Sequence, residues 1–480
     1  MTLRSLLVVP AVLVAGCNVD VPVSPSDRLS PTGPALSLDG VSSSFVLDFS
    51  GQLPASLAVD VAAAGGVVTS RMDGIGLAVA SSADPGFRAR AAKIAGVRSA
   101  SPDLVLQWTS PKQAGEAVEA DASSPVTTQA NVIGSVETFR AIQWNVDAIS
   151  APSAWTAGYQ GAGARVAVID GGVYAAHYDL RNRVDAARSK SFVPGFAYNQ
   201  DVGTFWHGTH VAGIIAAEAQ GVGTVGVAPQ ATIIGVKALH NGSGSFSAVI
   251  NAVYYAATPI AEGGAGANII NMSLGAVFAS NEDGGVQLKN ALSKATTYAY
   301  QRGVTVIVAV GNNAIDFDHT ANLITVPAQS AHVIAVAATG PVGFGLGATN
   351  FDTPSSYTNF GQSLVTLSGP GGNDQLPGTA ICTYKRFPSG TAQQYCFALD
   401  FVIAPCRSSG ASITGYCWAE GTSMASPAVA GVAALIVGKN GPIPPAQVEA
   451  ILRQSADDAG KPGNDDYHGR GRVNALRAVQ

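Results

Sequence analysis

An aspartate, a histidine and a serine, each in a short glycine-containing stretch, have the chemistry to form an activated nucleophile. Asp170 directly follows an apolar run, His207 opens the stretch His-Gly-Thr-His, and Ser423 lies in Gly-Thr-Ser-Met-Ala-Ser-Pro. A histidine can accept the proton of a serine hydroxyl while a carboxylate orients its ring. Each residue alone also has a structural explanation, because aspartate and serine often cap turns and helices and many histidines, as we expect for His210, are structural.

The elements that must position these residues follow from the hydrophobic pattern. Near-continuous apolar runs, typical of strands buried on both faces, alternate with helical patterns. The runs lie at 165–169, 232–237, 267–271, 304–310 and 332–336, and the helical patterns at 208–219, 247–257, 285–301 and 423–438. We therefore predict an α/β fold with a doubly wound, mostly parallel sheet. Ligands of such sheets bind at the carboxyl ends of the strands, where Asp170 falls.

Five short strings occur in one order along this large domain: VAVIDGG, HGTHVAG, NMSLG, VAVGN and GTSMASP. Together they resemble the subtilisin-like serine proteases of the subtilase family, whose catalytic residues follow the chain order Asp, His, Ser. The resemblance covers residues 144 to about 475. It implies a serine endopeptidase with Asp170, His207 and Ser423 as its catalytic triad. The amide of Asn312 and the backbone N–H of Ser423 would then bind the oxyanion.

The same resemblance assigns substrate contacts. It implies an edge segment that pairs with an extended peptide, and a pocket for the side chain that precedes the scissile bond. The edge residues are Gly242, Ser243 and Gly244, and the pocket residues are Ser273, Leu274 and Gly275, with Thr325 at the floor. None of these residues is charged, so we expect the pocket to prefer an uncharged, apolar side chain.

A structural calcium ion is also implied by the resemblance, although the chemistry requires no cofactor. The spacing from His207 to Pro229 matches the calcium loop of the family. The expected oxygen ligands are the side chains of Asp179 and Gln220 and the carbonyls of Glu218, Val222 and Thr224. Gln220 stands where the family has a shorter amide.

Two further features depart from the family pattern. Gly171 follows Asp170 where the family usually has serine or threonine, so a hydroxyl that supports the carboxylate is missing. Residues 369–418 form an insertion longer than the common core needs. We expect it either to shape the primed subsites, which bind substrate residues after the scissile bond, or to be a stapled surface loop.

The insertion contains four cysteines, Cys382, Cys396, Cys406 and Cys417. In an oxidising exterior they could form two disulfides in any of three connectivities. We favour the pairs Cys382 with Cys396 and Cys406 with Cys417, because each closes a short loop. A zinc site is the alternative, but the sequence has neither a CxxC spacing nor a histidine between these cysteines.

Residues 1–17 are typical of an export signal, with Arg4 followed by an apolar stretch too short to span a bilayer. The small residues before Cys17 resemble a bacterial lipobox, which implies acylation of Cys17, and an ordinary secretory signal is the alternative. We therefore expect an exported protein, either a cell-envelope lipoprotein or secreted, with membrane contact only through Cys17. Residues 18–40, rich in proline, serine and glycine, predict a disordered tether.

Residues 41–108 show a βαββαβ pattern, which predicts a small α+β domain. It resembles the inhibitory propeptide of the family. That resemblance implies a zymogen that cuts itself between Trp108 and Trp144, in a polar linker at 109–143, to mature the catalytic domain at 144–480. Its partners would be protein or peptide substrates and its own propeptide, and we expect a monomer.

Composition and the absence of certain motifs argue against other classes of protein. The 480-residue chain has 27 Lys plus Arg against 32 Asp plus Glu, without the basic clusters that nucleic-acid binding requires. It contains neither GxSxG nor HExxH, which argues against a lipase and a zinc metalloprotease. A catalytically silent binding protein with the same fold is the last alternative, and the presence of all three triad residues disfavours it.

Overall fold

The computed structural model describes residues 44–109, 112–123, 133–203, 206–407 and 412–480. The predicted export signal, Cys17 and the tether at 18–40 lie outside these ranges. The strands are β1 Ser44–Phe49, β2 Val67–Met72, β3 Leu77–Ser81, β4 Val97–Pro102, β5 Val105–Gln107, β6 Lys112–Glu119, β7 Arg165–Asp170, β8 Lys190–Ser191, β9 Thr232–Lys237, β10 Ser243–Ser245, β11 Ile269–Met272, β12 Ala276–Ala279, β13 Thr305–Ala309, β14 Leu323–Val326, β15 Val333–Thr339, β16 Leu367–Pro370, β17 Ile381–Lys385, β18 Thr391–Tyr395, β19 Val402–Cys406 and β20 Gly415–Glu420.

The helices are α1 Leu57–Ala63, α2 Phe87–Ala91, α3 Trp144–Ala148, α4 Ala151–Thr156, α5 His207–Ala216, α6 Phe246–Ala257, α7 Gly285–Gln301, α8 Thr422–Asn440, α9 Pro445–Ser455 and α10 Ala475–Ala478.

A seven-stranded sheet forms the centre of the large domain, in the order β16-β15-β13-β11-β7-β9-β8 with parallel pairing throughout. Both faces are buried. Val166 and Val168 of β7 pack in one core with α5 and α8, while Ala167 and Ile169 pack in a second core with α6 and α7. This burial explains the near-continuous apolar strands, and it confirms the predicted α/β, doubly wound fold.

Helix α8 is apolar enough and long enough to cross a membrane, yet 89% of its most apolar 18-residue window is buried inside this core. It is the one helix within the described ranges that reaches this length and composition. Its apolar surface is explained by packing, because a helix enclosed on all sides in a large core needs no polar face.

The small domain has the predicted order of strands and helices. Its antiparallel sheet runs β2-β3-β1-β4 and encloses a core of its own with α1 and α2. The last strand of the predicted βαββαβ pattern is divided in two. β4 ends at Pro102, and β5 leaves the small sheet to pair with β10 of the large domain.

The predicted linker at 109–143 contains a strand that its polar composition did not indicate. β6 pairs antiparallel with β20, which also pairs with β19 of the cysteine-containing insertion. The insertion contains a second strand pair, β17 with β18. Its disulfides join Cys382 to Cys396 and Cys406 to Cys417, which confirms the predicted connectivity.

Candidate active site

Asp170 and His207 meet at the carboxyl end of β7. Asp170 ends the strand, and His207 begins α5. The His207 Nδ1 lies 2.9 Å from Asp170 Oδ1 and 2.8 Å from Oδ2, and both side chains are buried. The helix can approach the strand this closely because a Cβ on Gly208 would lie 2.4 Å from the carbonyl oxygen of Gly172 and 3.0 Å from the Asp170 Cβ. The carboxylate therefore orients the ring and leaves Nε2 as the proton-accepting nitrogen.

The position of the missing hydroxyl at Gly171 is taken by another carboxylate. A Cβ on Gly171 would lie 2.4 Å from Asp201 Oδ2. The buried amine of Lys237, at the end of β9, lies 3.9 Å from Asp201 Oδ1 and donates to the carbonyls of Gly171 and Leu239. Burial lowers the pKa of Lys237, and the charges of Asp201 and Asp170 oppose this shift. The buried amine of Lys237 therefore lies close enough to the carboxylates of Asp201 and Asp170 for their charges to act on it.

Ser423 lies in the first turn of α8, where unpaired backbone N–H groups favour negative charge. In this structure its hydroxyl donates to the carbonyl of Ser273 at 3.1 Å, and the Ser273 hydroxyl donates to the carbonyl of Ser423 at 2.8 Å. Asn271 extends the connection, because its amide donates to Ser273 Oγ and its Oδ1 accepts from Ser426. These bonds fix the start of α8 against the end of β11.

Two hydrogen-bond donors flank one point beside Ser423. Asn312 Oδ1 accepts from the backbone N–H of Thr422 at 2.9 Å and from its hydroxyl at 2.7 Å, which turns Nδ2 away from Thr422. A Cβ built on Gly421 would lie 3.2 Å from Asn312 Nδ2 and 3.6 Å from the Ser423 nitrogen. Gly421 has φ +149°, and the absence of a side chain leaves that point open. The arrangement can stabilise an oxyanion.

A cleft of about 550 Å³ lies over Ser423 and Asn312 and includes Leu274, Gly275 and Thr325 among its lining residues. None of the described lining residues is charged. The chain's own residues 105–109 enter this cleft. β5 pairs antiparallel with β10, which places Leu106 opposite Gly244 and Gln107 opposite Ser243.

Trp108 extends this pairing along the cleft. Its backbone N–H donates to the Gly242 carbonyl at 2.8 Å, and its carbonyl accepts from the Gly275 N–H at 2.9 Å. All of the predicted substrate-binding residues except Ser273 therefore pair with this extended segment or line the cleft that it enters. Ser273 is buried and bonds to Ser423 instead.

The predicted calcium loop is buried and rich in oxygen. Asp179 Oδ2 accepts from Thr224, and Oδ1 accepts from the hydroxyl of Tyr416. Gln220 donates its amide to the Tyr178 carbonyl, so a ligand role for its side-chain oxygen stays a prediction. Glu137, which the sequence reasoning missed, lies against the same loop, where Oε1 accepts from the Gly221 N–H and the buried Oε2 has no hydrogen-bond partner among the described residues.

Burial disfavours the charged form of both carboxyl groups at this loop. Burial, with a contribution from the charge of Glu137, raises the pKa of Asp179 to about 8. Burial also raises the pKa of Glu137. Two buried carboxyls, one with an unpartnered oxygen, beside backbone carbonyls are a donor set that fits Ca²⁺, because the cation would offset their mutual repulsion.

Sequence reasoning also missed Lys237, Asp201 and β6. Lys237 ends a predicted apolar strand, and a lysine in such a run is a signal of a buried charge that could have been followed. Asp201 lies in a polar loop where nothing in the sequence distinguishes it. The strand at 112–119 has low apolar content, and only its pairing with β20 makes it a strand.

The buried histidine–carboxylate pair, the serine at a helix N-terminus at the same end of the sheet and the two donors around one open point are the groups that a hydrolase of the serine-protease type requires. A profile of the subtilase family matches residues 161–471. Over 340 residues the chain is 32% identical to subtilisin DY of Bacillus licheniformis, a match that covers 71% of this chain and 99% of the relative. Over 344 residues it is 32% identical to thermitase of Thermoactinomyces vulgaris, with 71% and 97% covered. The chain belongs to the subtilase family and is a subtilisin-like serine endopeptidase with protein or peptide substrates.

Solved structures share the fold across most of the chain. The epidermin leader peptide processing serine protease of Staphylococcus aureus has a TM-score of 0.68 at 20% identity, covering 91% of this chain and 97% of that one. Fervidolysin of Fervidobacterium pennivorans, a keratinolytic enzyme related to subtilisin, has a TM-score of 0.65 at 22% identity, with 93% and 62% covered. Both likenesses extend beyond the residues that the family profile matches.

Proposed function

We propose that the chain is an exported serine endopeptidase that is made as a zymogen and matures by cutting itself. The observation that carries the catalytic assignment is the pair of contacts, 2.8 and 2.9 Å long, between His207 Nδ1 and the Asp170 carboxylate. This pair stands at the same end of the sheet as Ser423 and the Asn312 amide. The competing proposal, a silent binding protein with the same fold, does not require these contacts.

In the proposed reaction, His207 accepts the proton of Ser423 while the serine oxygen attacks a peptide carbonyl. Asp170 holds the imidazole in place and stabilises the imidazolium. The negative oxygen that forms is bound by Asn312 Nδ2 and the Ser423 N–H. His207 then gives the proton to the leaving amine, which leaves an acyl-enzyme, and a water molecule repeats the sequence to release the acid.

The zymogen proposal is supported by the path of residues 105–109 through the cleft. Thr109 lines the cleft together with Ser423, and the next described residue, Lys112, begins β6 opposite Glu420. We therefore propose that the first cut falls at one of the three bonds between Thr109 and Lys112. The small domain would remain as a bound inhibitor after this cut. The uncharged lining of the cleft supports a preference for an uncharged side chain before the scissile bond.

Export is supported by the sequence of residues 1–17 and agrees with two disulfides in the insertion, since disulfides persist in oxidising compartments. In this proposal an acyl group on Cys17 anchors the precursor, and the first cut separates the anchor from the catalytic domain. Whether the mature enzyme leaves the envelope then depends on how long the small domain stays bound.

A structural calcium ion is part of the proposal, held by Asp179, Glu137 and the carbonyls of the loop. We expect chelation to lower the melting temperature of the Ser423→Ala chain and added calcium to restore it. Glu137→Gln should reduce that calcium-dependent difference, because it removes one of two anionic ligands. The measurement is thermal unfolding with EDTA and with excess CaCl₂. Equal melting temperatures in both conditions would remove calcium from the proposal.

The catalytic proposal is tested by the intact mass of the exported wild-type chain beside Ser423→Ala at neutral pH. We expect the wild type to lose its first hundred or so residues and the variant to stay uncut through 109–112. A serine-directed phosphonylating probe should add its mass to the wild type alone. An uncut wild type that also fails to react with the probe would favour the silent binding protein.

A further inference from the structure

Two strands of the chain, one on either side of residues 110–111, pair with the catalytic domain near Ser423. β5 pairs with β10, and β6 pairs with β20. Lys112 lies opposite Glu420, only three residues before Ser423 in sequence, and Glu119 lies opposite Gly415, at the distant end of β20. Successive residues of β6 therefore move away from the nucleophile, as substrate residues after a scissile bond would.

The strand that receives β6 is built by the insertion. β20 is the second strand of the β19–β20 pair, which the Cys406–Cys417 disulfide cross-links. Tyr416 and Trp418 are buried in a core with residues of β17 and with Phe401. A strand fixed this firmly offers a preformed partner for an extended peptide.

Two buried histidines tie β20 to the catalytic domain. His177 Nε2 lies 2.9 Å from the Gly415 carbonyl, and His210 Nε2 lies 3.0 Å from the Cys417 carbonyl. His210 stands on α5, one turn after His207. The helix that presents the catalytic imidazole thus also contacts β20, so one element positions both the strand and the imidazole.

The distant end of β6 is held by specific polar contacts. The Glu119 carboxylate accepts hydrogen bonds from Ser412 and Thr414, and its backbone carbonyl accepts from Arg386 at 2.6 Å. The Ala120 N–H donates to the Thr414 carbonyl at 3.1 Å. These partners all belong to the insertion, and they favour an acidic side chain at this end.

We propose that β20 is an extended primed-side substrate-binding strand, on which substrates add an antiparallel strand reaching eight to ten residues beyond the scissile bond. This number of residues is counted from the cut to Glu119. Glu119 is the eighth residue after a cut at Pro111–Lys112, the ninth after a cut at Ser110–Pro111 and the tenth after a cut at Thr109–Ser110. The preferred substrate is a polypeptide with a long unstructured segment after the cut and an acidic residue near its end. The inference rests on the proposed endopeptidase function.

Before such a substrate can bind, β6 must leave β20. After the first cut, residues 112–119 remain joined to the catalytic domain through 120–143. They would then compete with primed-side residues of other substrates, and a second cut in 120–143 would remove this competition.

The test uses peptides with the sequence of the chain itself and the self-processed wild-type enzyme. A long peptide spans 105–121 and a short one spans 105–113, so the two differ only after the cut. We expect a kcat/KM about tenfold higher for the long peptide, which corresponds to about 1.4 kcal/mol or one net hydrogen bond. Glutamine in place of the glutamate at 119 should lower the advantage of the long peptide.

Backbone methylation identifies strand pairing. Alternate residues of an added strand point their N–H groups to the partner. Two long peptides are N-methylated at every second primed position, one at the odd positions and the other at the even positions. Only one of them should lose its advantage in kcat/KM over the short peptide. Equal losses, or no loss, would contradict pairing with β20.

An enzyme variant tests the contacts at the distant end. In Ser412→Ala with Thr414→Val, the ratio of kcat/KM between long and short peptides should fall severalfold, whereas Thr391→Val on exposed β18 should keep the wild-type ratio. If both peptides are cut equally well by the wild type, the strand proposal is wrong and the endopeptidase proposal stands. If neither is cut and the phosphonylating probe does not react, both are wrong.

Discussion

Asp170 carries a negative charge in a buried site, so the charges around it determine how strongly it stabilises the His207 imidazolium. Lys237 is fully buried and bonds to the Gly171 carbonyl, the residue directly after Asp170. Asp201 occupies the space that a side chain at position 171 would need. The lysine therefore offsets two carboxylates at once and holds the backbone that carries one of them. Lys237 and Asp201 together compensate for Gly171, which stands where the family usually has a residue with a hydroxyl group.

Replacing Lys237 by methionine removes a positive charge that offsets Asp170 and Asp201. The acid limb of the kcat/KM profile should therefore move to higher pH, because the lost cation leaves the two carboxylates to favour bound protons nearby. kcat should also fall, since the Gly171 carbonyl loses its donor. Lys190→Met, on the neighbouring strand but exposed, is the matched control. A variant profile that overlies the wild type would show that Lys237 is structural only.

Asn312→Ala should lower kcat by about 10² to 10³, the cost of one oxyanion donor, for which a subtilisin is the reference case. KM should change little, because the amide acts on charge that develops during the reaction. Steady-state hydrolysis of a peptide measures both constants, and the adjacent, exposed Asn313→Ala serves as control. A variant with raised KM and unchanged kcat would place Asn312 in substrate binding instead.

The residues that sequence analysis predicted at this site share one property. Asp170, His207, Ser423 and Asn312 each lie inside a short string whose neighbours are constrained by the same local geometry, as Gly208 and Gly421 illustrate. Asp201 and Glu137 act through partners distant in sequence, and no local pattern marks them, whereas Lys237 is marked only by its place in an apolar run. Their roles depend on which loops the fold brings together, which hydrophobic periodicity does not specify.

At the scale of elements, periodicity predicted the parallel sheet and its helices because both depend on burial. It did not predict β6, whose strand conformation comes from pairing with β20 rather than from its own composition. β20 in turn depends on buried groups in the catalytic domain, and the His177–Gly415 contact is one of them. The stability of this strand should therefore respond to pH.

Burial lowers the pKa of His177 from 6.5 to about 4. Between these values the unfolded chain binds a proton at this residue that the folded chain does not, so the contribution of His177 to the free energy of unfolding should fall as pH drops below 6.5 and should stop falling below about 4. His177→Gln should flatten this dependence while it lowers stability at pH 7.5. Urea unfolding of the Ser423→Ala chain at pH 7.5 and 5 measures the difference, with exposed His332→Gln as control. Parallel pH dependences in wild type and His177→Gln would contradict the assignment.

At the scale of the whole molecule, the small domain binds where its strands can reach the cleft. Asp103 bonds to the Ser247 N–H and hydroxyl at the start of α6, and Arg88 forms an ion pair with Asp283 before α7. These contacts turn the end of β4 toward β5 and the active site. The resemblance to a propeptide predicted an inhibitory domain, but these contacts join residues more than a hundred positions apart and required the structure.

One contact of this interface has a clear kinetic consequence. The Lys294 amine on α7 donates to the carboxylate of Asp48 and, at 2.8 Å, to the carbonyl of Phe49, with a quarter of the side chain exposed. Lys294→Met removes both bonds. Because Asp48 keeps its ion pair with Arg98, the loss should be near 1 kcal/mol, and the cut small domain should dissociate about fivefold faster.

This acceleration is measurable in the full chain as a shorter interval between the first cut, followed by mass, and the appearance of peptide hydrolysis. Lys289→Met on the same helix is the control, because it removes the same charge from a residue that makes no hydrogen bond or ion pair with the small domain in the described part of the chain. A shortened interval in Lys294→Met alone would mean that release of the bound domain, and not the first cut, limits activation. An unchanged interval in both variants would mean that the cut itself is limiting, so that inhibition ends as soon as the bond is broken.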